Sequence, residues 1–184
     1  MTAPCIDSDR LWASIEDLSR FGAVHWPDTG LTGVDRMALT QADAEGRAQV
    51  RKWFEDAGLQ IRGDRIGNLW ARRAGTSPGL APVVCGSHLD SVPTGGAFDG
   101  ALGVLAGLEI VRTLDDAGVQ TRRSFEVCVF TDEEGARFGT DMLGSAVACG
   151  RLPLDEALGL KDRDGVTVAQ ALAPAKSSPP QVGG

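Results

Sequence analysis

His88, Asp90 and Asp99 fall within residues 83–100, VVCGSHLDSVPTGGAFDG, and His88 is one of 2 histidines in 184 residues. An imidazole and two carboxylates at such spacing can hold a divalent cation or move a proton. Side chains two apart on an extended segment point the same way. Asp90 can therefore accept a hydrogen bond from one nitrogen of His88 while the other nitrogen faces a metal. Asp99 follows Gly95 and Gly96, which permit a sharp turn, and precedes Gly100 and a long apolar run. A carboxylate fixed there can bridge two metal ions. The same residues also fit a hydrogen-bonded core histidine and a helix-capping aspartate, and this stretch alone leaves both readings open.

A second group follows the apolar run FEVCVF at 125–130: Thr131, Asp132, Glu133, Glu134 and Gly135. Three adjacent acids at the end of a strand repel one another unless something neutralises them. A divalent cation would do so, and so would solvent or the N-terminus of a helix. Two acid-bearing strand exits in one small domain, one of them with a histidine, favour the metal.

The elements that must position these groups can be read from the pattern. Residues 81–85 and 125–130 are short, apolar and β-branched, as expected of buried strands of a parallel sheet. Ligands of open α/β sheets sit outside the carboxyl ends of such strands, where both acidic groups lie. A helix is expected over 8–21, capped by Ser8, with Leu11, Ile15 and Leu18 on one face. Thr40 opens the next, with Asp43 in a capping-box position and Val50, Trp53, Phe54 and Ala57 packed inward. Strands are expected at 59–61 and 65–72, a buried helix at 101–117, an interrupted helix at 138–149 and short helices at 155–160 and 167–172. Residues 23–39 read as a loop. It holds His25, around which no carboxylate pattern exists, and Arg36, a candidate wall residue of the site.

With these residues laid out, GSHLDSVPTGGAFDGALGVLAGLE and FTDEEGARFGTDMLGS resemble the metal-dependent amidohydrolases of the M20 peptidase superfamily. The similarity is closest to the hydantoinase/carbamoylase branch, which contains N-carbamoyl-L-amino acid hydrolases, allantoate amidohydrolases and β-ureidopropionases. GLTGVDRMALTQAD and DRIGNLWARRAG fit the same branch, so the resemblance runs from about Ser8 to Leu172. It implies a three-layer α/β/α zinc-peptidase-like fold. It also implies His88 as ligand of one metal, Asp99 as bridge, Glu134 as ligand of the other, Glu133 as general base and Asp90 as the carboxylate that orients His88. The implied cofactor is a pair of divalent ions, with zinc favoured and manganese, cobalt or nickel able to occupy such a site. The implied substrate is a small N-carbamoyl amino acid or other ureido compound. DEEGARFGT and FDGALGV are nearer the carbamoyl-amino-acid hydrolases than the allantoate enzymes, and an aminoacylase or peptidase would use the same metal logic on another amide.

Such proteins continue beyond this point with two more histidine ligands and a lid domain that carries substrate contacts and the homodimer interface. Here the chain is expected to hold a partial catalytic domain at 1–173 and a disordered Pro/Ser/Gly tail at 174–184. A fragment without the remaining ligands and lid would be inactive, and a sheet without its remaining strands would have an open edge. The net charge of −7 argues against nucleic acid and anionic membranes. No apolar run spans a bilayer and no leader is visible, so a cytoplasmic protein with Cys5, Cys85, Cys128 and Cys149 reduced is expected.

Overall fold

The computed structural model describes residues 4–173. The expected tail at 174–184 lies outside the described residues.

Four strands form a mixed sheet: β3 (Gln60–Gly63), β4 (Leu69–Arg73), β5 (Val83–His88) and β6 (Phe125–Phe130). Their order is β3-β4-β6-β5, with β5 and β6 parallel and the other pairings antiparallel. On one face Leu69, Ala71, Val127 and Val129 are buried, because the two-residue period of a strand puts alternate side chains on the same side. They share a core with Ile15 and Leu18 of α1 (Ser8–Ser19), Val50 and Phe54 of α2 (Gln41–Asp56), and Val104, Leu105, Leu108 and Val111 of α3 (Ala101–Asp116). The expected helical faces of α1 and α2 are thus the buried ones. The opposite face carries polar pairs: Arg62 stacks on Trp70, and Glu126 is bonded by both Arg62 and Arg72. A second small core gathers Ile66, Phe138, Leu143, Ala157 and Val168 around α4 (Leu143–Ala148), α5 (Leu154–Gly159) and α6 (Val168–Leu172). The architecture is the expected α/β class.

Several expectations need correction. Residues 23–39 are not a plain loop: β1 (Ala23–Trp26) and β2 (Leu31–Val34) form an antiparallel hairpin. Val34 extends it to the site, exchanging main-chain hydrogen bonds of 2.9 and 2.8 Å with Gly95. The strand read at 81–85 runs instead from Val83 through His88, and among the described residues it is an edge strand, not a buried one. Val83 and Val84 are accordingly half exposed, so this edge of the sheet is open among the described residues. The cap of α1 is Asp7, whose carboxylate accepts from the Arg10 amide at 3.0 Å, and not Ser8. At α2 the Thr40 cap holds, but Asp43 accepts from the Leu39 amide and so does not close a capping box. Residues 138–142 are not helical, because Gly139 and Met142 take left-handed φ values of 74° and 58°.

Candidate metal centre

The parallel register sets the site. His88 is paired with Phe130, so the last residue of β5 stands beside the residue that leads into Thr131–Glu134. The loop after β5 then turns back through residues 91–98 to bring Asp99 over the same strand end. The outcome is one group in which His88, Asp99 and Glu134 each offer a donor atom, all within 4.8 Å of one another. It is the one such group of three or more among the described residues. His25 lies on β1, exposed and outside it.

His88 is buried and held on two sides. Its Nδ1 lies 2.8 Å from the main-chain oxygen of Asp90. A carbonyl only accepts, so Nδ1 carries the proton and Nε2 keeps its lone pair, facing Asp99 Oδ1 at 3.8 Å. The expected carboxylate–imidazole hydrogen bond is therefore replaced. Asp90 orients His88, but through its backbone, and its nearer carboxylate oxygen is 3.9 Å from Nδ1. The reason is the tight turn at the end of β5, which brings the carbonyl and not the side chain round to the ring. Below the ring is Gly100, with φ 65°, and a Cβ built there would lie 2.5 Å from both ring nitrogens. Only glycine meets both demands. Asp99 is exposed and makes no capping hydrogen bond to α3, whose N-cap is Gly100, so the helix-capping reading of Asp99 is not realised.

The other arm is fixed by a residue that the motifs did not single out. Buried Asn68 accepts from the Thr131 amide at 3.0 Å and donates to the Gly144 carbonyl at 2.9 Å. Gly144 donates in turn to the Thr131 carbonyl at 2.8 Å. This stitch holds residues 131–144 as a loop that presents Glu133 and Glu134, both half-buried. Glu134's amide is 3.3 Å from Asp90 Oδ2, tying the two arms together.

The electrostatics are unusual for carboxylates. Asp90 Oδ1 and both carboxylate oxygens of Asp132 are buried without a hydrogen-bond partner. Burial pushes the Asp90 carboxyl up to about 6, opposed by His88, and the Asp132 carboxyl up to about 7, with neighbouring Asp90 adding to the shift. Burial likewise raises Glu133, with His88 opposing and Glu134 adding. Asp132 was only one of three adjacent acids in the sequence. Its left-handed φ of 51° turns it inward, which no sequence signal announces. Arg36 is not a wall residue either: it is buried and points into the protein, donating to the main-chain oxygens of Leu89, Leu18 and Phe21.

The donor set fits a divalent ion. One neutral imidazole nitrogen and two carboxylates suit zinc and its neighbours, and the unpartnered buried oxygens of Asp90 and Asp132 lie in the same acidic region, a distribution a bound cation would relieve.

Known proteins similar in sequence and backbone cover the segment that holds this site. The profile of peptidase family M28 matches residues 68–157, the segment carrying all five candidate residues. An N-carbamoyl-L-amino-acid amidohydrolase of Rhizobium meliloti is 44% identical over 168 residues, covering 91% of this chain and 39% of the relative. A ureidoglycolate hydrolase of Oryza sativa subsp. japonica is 38% identical over 153 residues, covering 83% of this chain and 31% of the relative. Among solved structures, a hydantoinase/carbamoylase family amidase from Burkholderia ambifaria superimposes with a TM-score of 0.88 at 51% identity, covering 93% of this chain and 41% of the other. The chain thus spans about two fifths of the length of the carbamoyl-amino-acid hydrolases it matches. By sequence and backbone alike, this chain is similar to about two fifths of the length of the hydantoinase/carbamoylase family amidases.

Proposed function

We propose that this chain carries the metal-holding and proton-transferring half of an amidohydrolase that cleaves the carbamoyl C–N bond of N-carbamoyl-L-amino acids. The observation that carries the reading is the convergence of His88, Asp99 and Glu134 within 4.8 Å at the ends of two parallel strands. It is supported by the names of relatives more than 40% identical to it. The superfamily is read as M20 from the two motifs. In this reading His88, Asp99 and Glu134 would together hold the divalent metal, with Asp99 the carboxylate shared between two ions, and zinc would be favoured over manganese, cobalt or nickel. Bound ions supply Lewis acidity, polarising the scissile carbonyl and acidifying water.

The rest falls to the chain's own groups. Glu133, next to Glu134 and partly desolvated, takes the proton of the attacking water and returns it to the departing nitrogen. Its raised pKa suits both halves of that transfer. Asp90 fixes the imidazole through its carbonyl and the Glu134 amide through its carboxylate. Hydrolysis with one water yields the free amino acid, ammonia and carbon dioxide. In this reading the protein acts in the cytoplasm on small molecules, as a homodimer. Ureidoglycolate is the second substrate reading, favoured by the 38% identity to the Oryza enzyme.

Ammonia release tests the proposal, measured on N-carbamoyl-L-amino acids with zinc or manganese. It should be applied to the chain and to a chimera in which residues 4–173 replace the matching segment of the Rhizobium meliloti enzyme. The chimera is expected to turn over and to lose about a thousandfold in rate with Glu133→Gln. A folded, metal-loaded chimera that releases ammonia from ureidoglycolate alone would favour the second reading, and one that releases none would refute both.

A further inference from the structure

Arg36 is 2% exposed, and a buried guanidinium ordinarily sits against a carboxylate. Here all three side-chain hydrogen bonds end on main-chain oxygens: Nε on Leu89 at 2.7 Å, and Nη1 on Leu18 and Phe21 at 2.9 Å each. Leu89 follows the last residue of β5, so no strand partner is assigned to its carbonyl. The backbone of Arg36 holds the other side of the same turn. Its amide donates to Ser91 Oγ at 2.9 Å, and its carbonyl accepts from the Ser91 amide at 3.0 Å. Leu89 and Ser91 flank Asp90, and both are anchored to one residue. The Asp90 peptide between them is thereby oriented, and its oxygen is the one 2.8 Å from His88 Nδ1. Gly46 on α2 leaves the room this needs, since a Cβ there would lie 3.1 Å from Arg36 Cδ.

We propose that Arg36 is a positioning residue for His88: by holding the Leu89 carbonyl it aims the Asp90 carbonyl at Nδ1 and so fixes the tautomer that leaves Nε2 free for a metal. The use made of Nε2 rests on the metal-site reading above. The tautomer itself does not.

The test uses nitrogen-15 NMR of the imidazole in the full chain carrying His25→Gln, which leaves His88 as the one histidine. At pH 8, above the ordinary imidazole range, and without metal, the parent is expected to show the Nδ1–H tautomer alone. Arg36→Lys keeps the charge and the aliphatic stem but not the fork that reaches three carbonyls. It is expected to give a mixture of tautomers and about tenfold weaker zinc binding. Val50→Ala, a cavity at a fully buried position on α2, serves as the control. It should lower the melting temperature and leave the tautomer unchanged. A folded Arg36→Lys chain with the parent's tautomer would overturn the proposal. So would an Nε2–H parent, an equal shift in Val50→Ala, or failure of Arg36→Lys to fold, which would assign Arg36 to stability alone. If no variant binds zinc, the metal reading fails while the tautomer result still decides the role of Arg36.

Discussion

Two regions bury carboxylates, and they do so in opposite ways. Where α1 meets α3, Glu109 is 1% exposed and fully provided for. Arg10 reaches it with Nη2 at 2.8 Å and Nε at 2.9 Å, the Asp7 amide adds 3.0 Å and the Thr113 hydroxyl 3.2 Å. Burial alone would raise its pKa, but these partners outweigh it and hold the carboxyl below the usual range. At the strand ends, Asp90 and Asp132 are equally buried yet keep unpartnered oxygens, and their pKa values rise. An unpartnered buried charge is costly, and Asp43 on α2, 1% exposed with Oδ1 also unpartnered, adds its charge to the same acidic cluster. The difference leaves buried negative charge at the strand ends that a bound cation would relieve.

Substitutions can break that contrast. The largest effect is expected from Gly100→Ala, which places a methyl group into the His88 ring at a left-handed φ. Zinc affinity, read by calorimetry, should fall by about a hundredfold, and stability should drop by about 2 kcal/mol. Arg10→Ala comes next. It strips Glu109 of its cation and should cost about 2 kcal/mol in urea unfolding, less than a fully buried pair because Arg10 is partly exposed. Zinc affinity should not change, since the damage lies between α1 and α3.

pH sharpens the same comparison. The folded-state pKa values of Asp90 and Asp132 are raised above the unfolded range near 3.9. Their contribution to stability is therefore fully present below about pH 4 and lost as pH rises through about 6 to 7. Without added metal, the chain should become easier to unfold across that window, and Asp132→Asn should flatten the dependence. A metal-free chain that grows more stable between pH 4 and 7 in both forms would show that these acids find partners after all.

How much of this was legible in the sequence follows from what sequence can encode. His88, Asp99, Glu133 and Glu134 stand where the motifs put them, because a β-branched run followed by acids and glycine signals a strand exit, and parallel register does the rest. The β1–β2 hairpin was missed because each strand offers only four residues of weak alternation around Pro27. The edge position of β5 was missed because an apolar run reads alike in the middle of a sheet or at its border. Asp90 shows a deeper limit: the spacing to His88 suggested its carboxylate, while the turn delivers its carbonyl. Arg36, Asn68 and Gly100 act through main-chain atoms or by lacking a side chain, so residue type alone says little about them.

The most direct measurement is zinc titration of the chain by calorimetry, with His88→Ala and Glu134→Ala beside it. Saturable binding that weakens by tenfold or more in each variant, while Arg10→Ala binds as the parent does, is the predicted result. Binding that is absent from the parent, or that survives both substitutions unchanged, would contradict a metal centre at the ends of β5 and β6.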